Sequence, residues 1–414
     1  MRREVHRHRG RATRRFACAL LGASLAMVVA LVVAVAVDVA GASPALAAGA
    51  GREPLHGRQG IVPPGATLIG PAPSTTTLPL VVTLQPRDPA ALSAEVQAVS
   101  DPRAPEYRHF LTPAEFARRF GPTPSTVAQV ASALRSQGLT VGPPSATGLS
   151  LPVSGTVAEV QSAFSTPISR YRLSSGKTGY DNRSAPEVPV TVAPQIEGII
   201  GLDTLSPPQP STTLPQASSA SPHPATSAAA PTVSGQPTPT CSGLSGAQSS
   251  FPGALDADQL AQAYSFDPLY AANHYGAGAT VALVEMAGAG YSPSDISTFA
   301  ACYGITGGGQ ITQKDVDGGG AEGPATVESE LDIENVLSLA PQANIEVYEG
   351  EQSMYDVFSQ IVSDHTAKIV SASWTNGCEA YVGQSTQQSE SALFQEAAID
   401  GQSIFVASGD EGSE

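Results

Sequence analysis

Two pairs of carboxylates lie four residues apart in the segment Glu328-Ser-Glu330-Leu-Asp332-Ile-Glu334. On a helix, positions i and i+4 share a face, so Glu328 stacks on Asp332 and Glu330 on Glu334. Like charges so placed repel, and their titrations split: one carboxyl keeps a proton while its neighbour still accepts one. Such a pair can do general acid–base work well below neutral pH, where a histidine with pKa near ~6.5 is already protonated. Both pairs flank the apolar stripe of Ile333, Val336, Leu337 and Ala340, so periodicity does not choose between them. A purely structural reading is an acid-rich first turn favoured by the helix macrodipole. Three apolar runs end nearby in the chain: Glu285 closes Thr280-Val-Ala-Leu-Val-Glu285, Ser373-Trp374 closes Ile369-Val-Ser-Ala-Ser-Trp374, and Asp410 follows Ser403-Ile-Phe-Val-Ala407. Asp410, in Gly-Asp-Glu-Gly, equally fits a turn at a strand end.

The elements around these residues alternate. Strands are expected at 280–285, 345–348, 369–374 and 403–407, and helices at 292–302, 328–339, 353–364 and 389–400. That order implies a parallel, doubly wound sheet whose functional loops lie at the carboxyl ends of its strands. Upstream, strand signals at 78–84, 149–153 and 168–173 interleave with helices at 89–99, 113–120 and 158–164. A further helix runs from a Ser125 cap to Gly138. Repeated βαβ units with short connections suggest a split, ferredoxin-like sheet. Between the two regions, residues 206–240 are Pro, Ser, Thr and Ala almost without charge, a composition that cannot bury enough surface to order itself. The expected organisation is 65–205, a linker over 206–250 that is open to proteolysis, and 251–414.

The first residues form an export signal. Seven arginines, Arg2 to Arg15, precede an uncharged apolar run from Phe16 to Val37, and Ala45-Leu46-Ala47 fits a signal peptidase site. Residues 1–47 are therefore expected to be removed, or else retained as a membrane anchor, since the run is long enough to span a bilayer. Downstream lie Cys241, Cys302 and Cys378; Cys241 with Cys302 is the favoured disulfide, and unpaired buried thiols are the alternative. A net charge of -16 and 14% charged residues leave no basic surface for nucleic acid. Membrane contact is expected only through an uncleaved N-terminal segment.

Taken together, Glu-Ser-Glu-Leu-Asp-Ile-Glu followed by Leu-Ala-Pro-Gln-Ala-Asn-Ile resembles the Glu-x-x-x-Asp helix and next strand of the sedolisin family of serine-carboxyl peptidases, kumamolisin branch. Glu285, Ser373-Trp374 and Ser408-Gly409-Asp410 follow in matching order, and Tyr107-Arg-His-Phe-Leu-Thr-Pro-Ala-Glu-Phe resembles the activation-domain signature of that branch. The resemblance implies a subtilisin-like α/β peptidase domain behind an activation domain that folds and inhibits it. It further implies a secreted, acid-acting serine endopeptidase zymogen that cleaves proteins or peptides. By the same likeness Glu328 is the general base, Asp332 its orienting partner, Asp410 the oxyanion donor, and Glu285 with Trp374 a supporting network. The family's nucleophile lies in Gly-Thr-Ser, which occurs nowhere in the 414 residues. The resemblance thus implies a C-terminally truncated chain, inactive as it stands, with the serine and the calcium ligands past Glu414. Two departures stand out: Glu411 and Thr375 occupy positions where the family usually has Ser and Gly. Neither His274 nor His365 has the His-Gly-Thr setting of a subtilisin-type hydrolase. The remaining alternative is a decayed peptidase fold serving as a secreted binding module.

Overall fold

The structure, a computed structural model, describes residues 51–57, 59–211, 255–286, 288–320, 322–323 and 325–409. The signal segment, Cys241 and Asp410 lie outside the described residues. Ala50–Glu414 forms one compact unit.

In the N-terminal region the strands are β1 (Arg52–Pro54), β2 (Thr67–Pro71), β3 (Thr77–Leu84), β4 (Thr140–Val141), β5 (Ser150–Thr156), β6 (Ser169–Arg172), β7 (Thr178–Asp181), β8 (Glu187–Pro189) and β9 (Ile196–Ile200). The helices are α1 (Pro89–Ser100), α2 (Pro113–Arg119), α3 (Pro124–Ser136) and α4 (Val157–Phe164). Proline opens each of the first three, where its missing N–H costs nothing. A capping box closes the start of α2: Thr112 Oγ1 accepts from Glu115 N at 3.3 Å and Glu115 Oε2 accepts from Thr112 N at 2.9 Å. The cap of α3 is Thr123, not Ser125. The residue before a proline is driven out of the α region, and Thr123 sits extended and accepts from Thr126 N at 3.1 Å. An antiparallel sheet in the order β4-β5-β3-β9 buries Leu80, Val82, Leu151 and Val153 against α3 and α4.

The C-terminal region holds α5 (Ala257–Ala263), α6 (Asp267–Ala271), α7 (Pro293–Cys302), α8 (Thr326–Leu339), α9 (Met354–Asp364) and α10 (Gln384–Ile399). Its strands are β11 (Thr280–Met286), β12 (Ile311–Val316), β13 (Asn344–Gly350), β14 (Ile369–Ala372), β15 (Trp374–Thr375) and β16 (Ser403–Val406), while β10 (Gln209–Pro210) comes from the segment before them. A parallel sheet runs β12-β13-β11-β14-β16. One face packs Leu283 and Val347 under Ile333 and Leu337 of α8 and Ile296 of α7. The opposite face packs Val284, Val370 and Ala372 under Phe358 and Ile361 of α9 and Leu393 of α10. Central β11 is apolar from Val281 to Val284 because both its faces are covered, and it carries Glu285 near its carboxyl end.

Four expectations change. The polar edge strand β12 was missed, its Gln313, Lys314 and Asp315 giving no apolar run. The strand expected over 369–374 breaks at Ser373 into β14 and β15. Helix α10 starts at Gln384 rather than Ser389, because its polar first turns carry no apolar period. Residues 209–210, expected within a disordered linker, form β10 and pair antiparallel with Trp374–Thr375. Among the cysteines, Cys378 is a free, exposed thiol at the N-cap of a short 3-10 turn and is not a disulfide partner. Cys302, at the end of α7, is disulfide-bonded; Cys241, its expected partner, lies outside the described residues.

The two regions meet along α10. Thr83 Oγ1 and Ser389 Oγ lie 2.6 Å apart, Thr147 Oγ1 donates to Glu396 Oε2 at 3.3 Å, and Leu111 N donates to Ile399 O at 2.9 Å. A Cβ at Gly198 of β9 would stand 2.8 Å from Ser385 Cβ, so only glycine allows this approach.

Candidate active site

Helix α8 rests its apolar stripe on the sheet and carries its first turns to the carboxyl ends of β11 and β14. The choice between its carboxylate pairs is made by what each side faces. Glu330 Oε1 accepts from Ser292 N at 3.1 Å and so anchors the start of α7. Glu334 lies on that side too, its carboxyl raised to about 7 by burial first and then by Glu330 and Asp295. Glu328, 5% exposed, and Asp332 instead turn toward the strand ends.

There Asp332 Oδ1 accepts from Ser373 Oγ at 2.9 Å. Glu285, fully buried near the end of β11, accepts at Oε2 from the Trp374 indole Nε1 at 2.9 Å. The remaining oxygens, Glu285 Oε1 and Asp332 Oδ2, are buried without a hydrogen bond of ordinary geometry, and the Ser329 hydroxyl beside Glu285 favours its charged form. Two ionised carboxylates cannot hydrogen-bond each other; with one proton between them they can. Burial, then the charge of Asp332, drives the Glu285 carboxyl well above the usual range. Asp332 rises to about 6 through burial, opposed by the Ser373 hydrogen bond, raised by Glu328 and lowered by a hydrogen bond with Glu285. Both displacements favour a single proton shared by the pair and held on Glu285, from which it can be donated to Asp332. This leaves a relay from Trp374 through Glu285 to Asp332, with Glu328 one helical turn away.

Extended chain crosses the mouth of the site. Gln209 pairs with Thr375 and Pro210 with Trp374, and Ser211 N donates to Ser373 O at 2.7 Å. This strand adds to a short sheet edge the way a bound peptide would. Nothing in Pro207-Pro-Gln-Pro210 marks it as a strand from sequence, since its pairing partner lies more than 160 residues away. Ser373 was likewise read only as the neighbour of Trp374; the sequence signal was the Ser-x-Ser alternation of Ile369-Val-Ser-Ala-Ser, which aims Ser373 to one side.

Asp410 lies outside the described residues. The chain leading to it continues the sheet, with Ala407 N donating to Ala372 O at 2.9 Å, and reaches Gly409 in a positive-φ turn at φ +89°. Among the described residues no group of three or more His, Cys, Asp or Glu side chains could hold a metal ion. No helix among them is long and apolar enough to cross a membrane.

Residues 64–205 match the pro-kumamolisin activation domain. The chain is 28% identical to sedolisin of Pseudomonas sp. (strain 101) over 351 residues, covering 81% of this chain and 54% of that protein. It is 28% identical to kumamolisin of Bacillus sp. (strain MN-32) over 374 residues, 87% of this chain and 62% of that protein. To xanthomonalisin of Xanthomonas sp. (strain T-22) it is 24% identical over 352 residues, 80% and 39% respectively. The chain thus spans about half the length of the relatives it matches.

Proposed function

We infer that this chain, related to the sedolisin-family peptidases and bearing a pro-kumamolisin activation domain over residues 64–205, belongs to the zymogen of a secreted serine endopeptidase that works in acid on proteins or peptides. The observation that carries this reading is the gathering of Glu328, Asp332 and Glu285 at the strand ends, with an extended segment of the chain's own lying across them.

In this reading Glu328 is the general base that takes the proton of a serine nucleophile, and Asp332 orients and polarises it. Glu285 and Trp374 hold Asp332 in place. A carboxylate base remains competent at about pH 3 to 4, where imidazole is protonated. Asp410, protonated, would donate a hydrogen bond to the oxyanion of the tetrahedral intermediate. The nucleophile belongs to a Gly-Thr-Ser motif that these 414 residues do not contain. The pairing of Gln209–Pro210, just past the activation domain, with Trp374–Thr375 supports reading that domain as an intramolecular inhibitor whose tail takes the place of a substrate strand. The order β4-β5-β3-β9 supports reading that domain as ferredoxin-like, and the basic, then apolar start of the chain supports export.

Acidification tests the proposal. A precursor able to form its acyl-enzyme is stable near neutral pH and shortens in acid, its new N-terminus falling between Ser206 and Ser242. Glu328→Gln blocks the shortening. Sequencing a new N-terminus inside 65–205, or finding processing intact in Glu328→Gln, contradicts the reading.

A further inference from the structure

One residue touches both the crossing strand and the carboxyl relay. Ser373 stands in the break between β14 and β15; its carbonyl accepts from Ser211 N at 2.7 Å, and its hydroxyl donates to Asp332 Oδ1 at 2.9 Å. We propose that Ser373 is a positioning residue, resting on the peptidase reading above, that decides which member of the Asp332–Glu285 pair carries the shared proton. A serine hydroxyl has one proton to donate. Given to Oδ1, it stabilises Asp332 as the anion and leaves Oδ2 to receive the proton of Glu285. The Trp374 indole donates to Glu285 Oε2 and, with the Ser329 hydroxyl, favours the anion of Glu285, so Ser373 acts against them in keeping the proton on Glu285.

The titratable groups acting on Asp332 are Glu328 from its own helix and Glu285 from β11. From β14 and β15 come only Ser373 and Trp374, and Asp410 lies outside the described residues. Opposite in sign to burial, the Ser373 hydrogen bond is the leading influence that favours the charged form of Asp332. The same residue holds the crossing strand through its carbonyl, so strand docking and proton placement run through one peptide unit.

The chain carries its own reporter, because Trp374 is its single tryptophan and donates to Glu285. The experiment is a pH titration of Trp374 emission in the 414-residue chain. Asp332→Asn should abolish the transition belonging to the pair. Ser373→Ala, which removes one oxygen, should raise its midpoint by about one pH unit, the size of a hydrogen bond to a charged group. Ser373→Thr, which keeps the hydroxyl, should leave the midpoint in place. A transition that survives Asp332→Asn, a midpoint unmoved by Ser373→Ala, or an equal shift in Ser373→Thr overturns the proposal. No turnover is needed, so the outcome is separable from that of the peptidase reading. Acid processing can fail while the midpoint shifts, and the midpoint can stay fixed while processing proceeds.

Discussion

Helices α8 and α10 both bury carboxyl groups and both lift their pKa values, yet they do so in opposite settings. On α8, Asp332 stands at the ends of parallel strands and accepts from the Ser373 hydroxyl, while beside it Glu285 of β11 accepts from the Trp374 indole. On α10 the buried Glu396, with Asp400 just after the helix, lies beneath the N-terminal region. Burial, then Asp400, raises Glu396 to about 8, and burial raises Asp400 to about 7 against the pull of Lys368. Glu396 receives one long hydrogen bond, from Thr147, and neither Asp400 carboxylate oxygen has a hydrogen-bond partner. Displaced pKa values alone thus do not separate the two settings; the directed donors on Asp332 and Glu285 do.

This contrast can be broken most forcefully at Asp332. In a form carrying the nucleophile, Asp332→Asn should lower acid hydrolysis about 100-fold or more, the scale of a lost acid–base component, with the fold retained by circular dichroism. A change at Glu396 should leave hydrolysis near wild type and alter stability instead. A carboxyl whose folded pKa is raised binds more protons folded than unfolded. Its contribution is unpenalised below the unfolded value of 4.5 and is lost as pH climbs toward about 8. Urea midpoints of the wild type should accordingly fall between about pH 4 and 8 by the equivalent of ~2–4 kcal/mol, and Glu396→Gln should flatten that slope. Smaller again is the packing effect: Gly198→Ala places a methyl 2.8 Å from Ser385 Cβ and should cost ~1–3 kcal/mol by overpacking, read from the same unfolding curves.

Much of this was legible in the sequence because it is local. The Thr112–Glu115 capping box, the prolines that open helices, and the alternation of apolar strands with amphipathic helices depend on neighbours within one turn. The carboxylate spacing on α8 was legible too, but not which pair faces inward. That choice depends on Ser292 taking Glu330 and on Glu285 lying opposite Asp332, contacts some 40 residues apart or more. The pairing of 209–210 with 374–375 and the docking of Thr147 on Glu396 span still longer separations. A segment such as Pro207-Pro-Gln-Pro210 has no strand propensity of its own and gains its conformation from the edge it meets. The burial of Glu396 in the last turns of α10 was hidden for the same reason, since its cover comes from the other region.

The central claim is that α8 directs Glu328, and not Glu330, at the reacting group. The most direct measurement compares Glu328→Gln with Glu330→Gln in one nucleophile-bearing form, following hydrolysis of a denatured protein at about pH 3 to 5, where a carboxylate base still works. Glu328→Gln should abolish turnover without loss of cooperative unfolding, because an amide cannot accept the serine proton. Glu330→Gln should retain turnover, its role being to accept from Ser292 N at the start of α7. A damaging change at 330 with a tolerant 328 would contradict the assignment.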